Sequence, residues 1–247
     1  MLSAFLIAVR TLTCIPTPEP RRRMDASLLA WSAALYPLVG ALLALAAWGL
    51  YVALRAALPQ AILMLLVLAI WAVATGGLHE DGLADAADAF GSQATREGIH
   101  RVLKDSHVGT YGVLALILSI ALRWQGLTHM PPAALLAALL ASQVVPRAGI
   151  VTLAYVAGPA TPGSGGALAK SLRGAQVAVA WLLALLLVVP FGWKAALLSG
   201  GVALVVVALC QAYFHRKIGG VTGDCLGAAN QLQEIAVVLG VLVWAAW

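Results

Sequence analysis

The sequence predicts an all-α, polytopic integral membrane protein with about seven transmembrane helices, forming one domain over residues 1–247. Three observations carry this prediction. Hydrophobic residues make up 62% of the chain and charged residues 10%, against about 45–50% and about 25% in soluble domains. Several apolar runs reach about 18 residues, the length that crosses a bilayer. The polar residues are gathered into short stretches between those runs. The net charge of +5 is assigned to basic residues flanking the spans, and not to nucleic-acid binding. Cys14, Cys210 and Cys225 form no CxxC pair, so neither a disulfide framework nor a zinc site is read from them.

The elements follow in order. Met1 to Ile15 is apolar with Arg10 in its middle. It has no basic region before the apolar run and no A-x-A site, so it reads as an interfacial helix and not as a cleaved signal. The prolines Pro16, Pro18 and Pro20 break it, and Arg21-Arg22-Arg23 anchors the next helix to one side. Asp25 or Ser27 caps a first span at Leu28–Leu54, kinked near Pro37 and Gly40. A second span, Ala61–Leu78, runs into an acidic stretch. Glu80 to Ser106 is too polar for hydrocarbon and reads as two short helices broken near Gly91-Ser92, with Thr95 capping the second. Further spans are expected at Val108–Gln125, Ala133–Val156, Gln176–Phe191 and Lys194–Phe214, with a short last one at Ile235–Trp247. Gly158 to Gly166 reads as a flexible loop, and Gly219 to Gln233 as a polar, glycine-rich segment.

With the N-terminus in the cytoplasm, Arg10, Arg21, Arg22, Arg23, Arg96, Arg101, Lys104, Lys170, Arg173, Arg216 and Lys217 fall on the cytoplasmic side. Arg55, Arg123 and Lys194 fall opposite, and Arg147 lies inside a span. This asymmetry predicts an acidic site facing the cytoplasm.

That site begins at Gly76-Gly77-Leu78-His79-Glu80-Asp81-Gly82-Leu83-Ala84-Asp85-Ala86-Ala87-Asp88. On a helix Asp81, Asp85 and Asp88 share a face. Two carboxylates 4 Å apart repel by about 4 kcal/mol at an effective dielectric near 20. Lys and Arg are sparse nearby, so a metal ion is expected, held by Asp81, Asp85, Asp88 and Asp224 with Glu80. All-oxygen donors without cysteine suit a hard ion such as Mg²⁺. His79-Glu80 lacks a second histidine at Leu83, so no zinc-protease motif is present.

Two further blocks join it. In Lys104-Asp105-Ser106-His107-Val108-Gly109, Asp105 is a candidate base or ligand and Lys104 a phosphate contact. In Gly219-Gly220-Val221-Thr222-Gly223-Asp224-Cys225-Leu226-Gly227, glycine backbone lets N–H groups approach an anion. Substrate-binding candidates are thus Lys104, Ser106, Gly220, Thr222, Gly223 and Asn230, with Lys170 and Arg173 as further phosphate cations and Arg147, inside a span, facing the interior to pair with an acid or a phosphate. Carboxylate-held divalent metal beside phosphate-binding cations points to phosphoryl or nucleotidyl transfer.

These three blocks resemble the adenosylcobinamide-GDP ribazoletransferase family, also called cobalamin-5′-phosphate synthase, in order and spacing. The span pattern agrees over nearly the whole chain. Departures are Glu80, where the family usually has Leu, His107, where Arg is common, and Gln143 after Ser142, where an immediate Arg is usual. The resemblance implies transfer of the adenosylcobinamide phosphate moiety of adenosylcobinamide-GDP to α-ribazole or its 5′-phosphate. GMP is released, Mg²⁺ is the cofactor, and the bacterial inner membrane is the setting, with lipid around the chain and a homo-oligomer allowed. Within it, Asp88 or Asp105 is expected to take the proton of the attacking hydroxyl. Two rivals are weighed. A CDP-alcohol phosphotransferase needs Ala-Arg after its Asp-Gly pair, where this chain has Ala84-Asp85. A cation transporter places its acids inside spans near the midplane, whereas these cluster beyond a helix end.

Overall fold

The computed structural model describes residues 1–19, 24–92, 95–105, 107–161 and 163–245. Arg21, Arg22, Arg23 and Ser106 therefore lie outside the described residues. Helix α1 (Leu2–Leu12) is 11 residues long, about 16 Å, too short to cross a bilayer. It buries Ala4, Ile7 and Ala8 against α2 (Ala26–Ala34). Asp25 Oδ1 accepts the Leu28 N–H at 2.6 Å and starts α2. Helix α3 is Tyr36–Leu54. The span expected at Leu28–Leu54 is thus broken at Leu35. Pro37 sits in the first turn of α3, where its missing N–H leaves no helical bond unmade.

Helices α4 (Gln60–Thr75) and α5 (Leu78–Ser92) are bent by 88°. Two left-handed glycines make the corner, Gly76 at φ 63° and Gly77 at φ 68°. Gly77 N–H donates to Ala72 O at 2.8 Å and Gly76 N–H to Val73 O at 3.1 Å, which closes α4 with a Schellman turn. The acidic stretch therefore turns off the axis of α4. Helix α6 (Arg96–Val102) is capped by Thr95 Oγ1, which accepts the Gly98 N–H at 3.2 Å, as expected. Then follow α7 (Thr110–Thr128), α8 (Pro132–Ala157), α9 (Ser164–Ser171), α10 (Gly174–Val188), α11 (Trp193–Ile218) and α12 (Gly223–Ala245).

Among the described residues six helices are long and apolar enough to cross a membrane, or seven if the bent α4–α5 pair is counted as one span. The chain is an all-α, multi-pass membrane protein. The last span was expected to start at Ile235, but α12 starts at Gly223. Its start read in sequence as a polar, glycine-rich segment, and Gly227 is where α5 packs. Helix α8 is the axis: 89% of its apolar window is buried, against 22% for the span of α10. Gly40 lets α3 ride on the backbone of α8 at Gln143. Val113, Leu114, Ile117 and Leu118 of α7, and Leu182 and Leu186 of α10, face outward as lipid-facing residues do.

The two ends of the bundle differ. At one end Gln60 Nε2 donates to the carbonyls of Leu127 and Met130, both at 2.9 Å. At the other, Ala160 N–H donates to Val221 O at 3.0 Å and Val221 N–H to Gly158 O at 2.9 Å. This small parallel bridge joins the loop after α8 to the loop before α12. Helix α5, α6 and both loops share that second end, as the alternation of spans requires.

Candidate active site

Small residues bring the acids together. A β-carbon on Gly82 would stand 3.0 Å from Asp224 O and 3.1 Å from Gly227 Cα. Helices α5 and α12 therefore meet backbone to backbone, and Asp224 in the first turn of α12 comes alongside the Asp81 and Asp85 face. Thr222 Oγ1 accepts the Cys225 N–H at 3.3 Å and donates to Asp224 Oδ2 at 3.3 Å. It caps α12 and orients Asp224, whose charge also favours the positive end of the helix. Partial burial, then the charges of Asp81, Asp224 and Asp88, push the Asp85 carboxyl up to about 6. Among the described residues no Lys or Arg pairs with Asp81, Asp85, Asp88 or Asp224.

Asp88 is differently employed. Its Oδ2 accepts the Gly109 N–H at 2.7 Å and its Oδ1 the Gly112 N–H at 3.0 Å. It caps the start of α7 and is buried. A β-carbon at either glycine would strike the carboxylate. Both oxygens thus accept a backbone N–H, which gives Asp88 a capping role that its spacing did not reveal. Asp81, Asp85 and Asp224 are the acids of this face that take no part in capping α7.

Asp105 lies exposed in the loop before α7, at the site end of the bundle. Its Oδ1 is 2.5 Å from His107 Nδ1 and accepts the His107 N–H at 3.1 Å. Those bonds hold the Asp105 carboxyl below the usual range and raise the His107 imidazole above its own. Lys104, Lys170 and Arg173 are exposed and form no ion pair among the described residues. Gly220 does not offer an open anion cradle, because it is buried against the backbone of Gly158, Pro159 and Ala160. That corrects its substrate-binding assignment. Gly223 is exposed and abuts Gly165 in the first turn of α9.

A polar network below the aspartates bears on four further expectations. Arg147 is fully buried, and its Nη1 donates to Glu234 Oε1 at 2.5 Å. Of the two partners expected for it, an acid or a phosphate, it holds the acid. Arg123, placed by sequence in a flank on the far side, is buried in α7 and donates to Glu234 Oε2 at 2.7 Å. Its Nη2 reaches Glu80 Oε1 at 3.4 Å, and Gln231 Nε2 donates to the same oxygen at 3.0 Å. Glu80 is therefore turned toward α7 and α12 and away from the metal face. Asn230 is fully buried; its Nδ2 donates to Glu234 Oε1 at 2.8 Å and to His79 Nδ1 at 3.1 Å. In this structure its side chain is closed off from solvent. The signal for this network was present as Arg123 four residues after Ser119 in an apolar run, and as the adjacent Gln231, Gln233 and Glu234.

Among the described residues no three Asp, Glu, His or Cys side chains form a ready-made metal cage. The donors available are hard oxygens on partly exposed carboxylates that lack counter-cations. That set fits an ion completed by substrate phosphates and water, as Mg²⁺ prefers.

The fold and site define a polytopic membrane protein with an aspartate face at one end of its helical bundle. The chain belongs to the cobalamin-5-phosphate synthase family, whose profile matches residues 4–242. Relatives named adenosylcobinamide-GDP ribazoletransferase include one from Bradyrhizobium diazoefficiens, 38% identical over 236 residues, covering 94% of this chain and 90% of the relative. One from Ralstonia pickettii is 34% identical, covering 98% and 95%. One from Geotalea daltonii is 36% identical, covering 97% and 96%. No solved structure matches the chain.

Proposed function

We propose that the chain is an adenosylcobinamide-GDP ribazoletransferase that depends on Mg²⁺ and works at the cytoplasmic face of the bacterial inner membrane. Full-length similarity to relatives of that name supports the reaction. The observation that carries the site is the meeting of Asp81 and Asp85 with Asp224 across the Gly82–Gly227 contact, without cationic partners. The excess of Lys and Arg at that end of the bundle supports the orientation.

In this reading Asp81, Asp85 and Asp224 hold the ion. Mg²⁺, when bound there, would supply positive charge to offset that developing on the phosphoryl oxygens. Lys104, Lys170 and Arg173 bind phosphate as exposed point charges. Thr222 and Gly223 offer polar contacts where the first turn of α12 opens. The hydroxyl of α-ribazole, or of its 5′-phosphate, attacks the phosphorus joined to the cobinamide side. Its proton passes to Asp105, which is ionised at neutral pH and open to solvent. The bond to the guanylate oxygen breaks, and GMP leaves with the electron pair.

The test is GMP release from adenosylcobinamide-GDP by purified full-length protein, with and without α-ribazole and Mg²⁺. Release that requires both supports the reading. Turnover undiminished in chelator, or cation transport into vesicles without any GMP, would refute it.

A further inference from the structure

Glu80 is adjacent in sequence to Asp81, yet it points about 100° away around α5. One of its oxygens, Oε1, is gripped by Arg123 from α7 and Gln231 from α12. The other, Oε2, is buried and has no hydrogen-bond partner. Next to it His79 Nδ1 accepts from Asn230. The first turn of α5 is thus held by two consecutive side chains of α12. Behind them Glu234 gathers Arg123, Arg147 and Asn230. Two arginines balance two glutamates, so the group carries no net charge inside an apolar body. Gln231 in turn accepts from Ser119 Oγ at 3.0 Å, which ties in α7 a second time.

We infer that Glu80 is a positioning residue: its grip by Arg123 and Gln231 sets α5 against α12 so that Asp81 and Asp85 stand opposite Asp224. Glu80 does not itself bind the ion. The inference rests on the reading that these aspartates take a divalent cation. Its logic is geometric. The glycine contact allows α5 and α12 to touch but leaves them free to slide, because glycine offers no side chain to interlock. A directional hydrogen bond one residue from Asp81 removes that freedom. It aims α5 through Oε1 as an acceptor, a contact that a neutral amide oxygen in the same place keeps, while the charge lost with it falls on stability and not on the aim of Asp81.

The experiment compares Glu80→Gln with Glu80→Ala in the full-length chain. Binding of Mn²⁺ as the probe is followed without substrate, by loss of the free-ion electron paramagnetic resonance signal. The Mg²⁺ concentration giving half-maximal GMP release and the unfolding temperature are measured alongside. Glu80→Ala weakens Mn²⁺ binding and raises the Mg²⁺ requirement at least fivefold. Glu80→Gln, which keeps an acceptor for Gln231 and Arg123, stays within twofold of the parent. Gln231→Met gives the alanine-like result, and it serves if Glu80→Ala does not fold.

Equal damage from Gln and Ala would make Glu80 a ligand and overturn the inference. So would a lower unfolding temperature in Glu80→Ala with ion binding unchanged, which describes packing alone. Asp81→Asn separates the two claims. If it binds Mn²⁺ like the parent, the aspartate reading fails and the inference falls with it. If it loses the ion while Glu80→Ala does not, only the positioning role is wrong.

Discussion

Gly227 and Gly82 touch across the crossing of α5 and α12: a β-carbon on Gly227 would stand 3.2 Å from the Cα of Gly82. Everything at the acidic face depends on this approach. Gly82→Val or Gly227→Leu forces the helices apart, at about 1–3 kcal/mol for overpacking. The expected outcome is folded protein with a lower unfolding temperature and GMP release reduced at least tenfold. Steady-state assays at saturating Mg²⁺ check it. Turnover equal to the parent in both variants would show that the crossing does not set the site.

Asp88 and its two glycines make a second, purely structural prediction. Asp88→Ala leaves the Gly109 and Gly112 N–H groups without their acceptor. A buried donor left unpaired costs about 1–3 kcal/mol. The unfolding temperature falls, while the Mg²⁺ concentration for half-maximal activity of the folded fraction changes less than twofold. A large rise in that concentration would return Asp88 to the ion site.

Asp85 sets the pH dependence. Its carboxyl is raised from 3.8 to about 6 by burial and by the charges of Asp81, Asp224 and Asp88. The folded state therefore binds a proton that the unfolded chain releases between about pH 4 and 6, and this contribution to stability fades as pH rises through 6. The cation competes with that proton. Half-saturation by Mg²⁺ should rise as pH drops below 6 and level off above about 7. Titrations at pH 5.5, 6.5 and 7.5 in Asp85→Asn should lose that trend.

Breaking the buried ion pairs separates structure from chemistry elsewhere. Glu234→Gln leaves Arg123 and Arg147 without their shared acid. Removal of one partner of a buried pair costs about 3–5 kcal/mol. Yield and unfolding temperature drop sharply. Restoring a charge by Glu234→Asp recovers part of both, as read by thermal unfolding in detergent.

The layout of spans was legible in the sequence because apolar runs of bilayer length have few other uses. The spacing of Asp81, Asp85 and Asp88 placed them on one face, and Asp25 and Thr95 were found as caps. Spacing alone does not tell a carboxylate that awaits an ion from one that already holds backbone N–H groups. The donors to Asp88 lie more than twenty residues away, and only the packing of α5 on α7 brings them near. Arg123 was assigned to a flank because one arginine near the end of an apolar run usually ends it. Its acid, Glu234, lies on another helix far along the chain, and only the packing of α7 on α12 brings the two together. Glu80 was grouped with the aspartates by proximity in sequence, although consecutive residues on a helix face different neighbours.

The corner at Gly76 and Gly77 carries one more consequence. Because the chain restarts there at a backbone turn, the rotation of α5 is independent of the length of α4. One residue added within α4 lengthens the anchor by about 1.5 Å and turns its lipid face by about 100°, but leaves the carboxylates aimed as before. The same insertion between Asp81 and Asp85 would swing them apart by that angle. Upstream of the corner such a change is felt by the buried face of α4, at Leu63, Met64, Val67, Leu68 and Trp71, whereas downstream of it the aim of the acids is what moves.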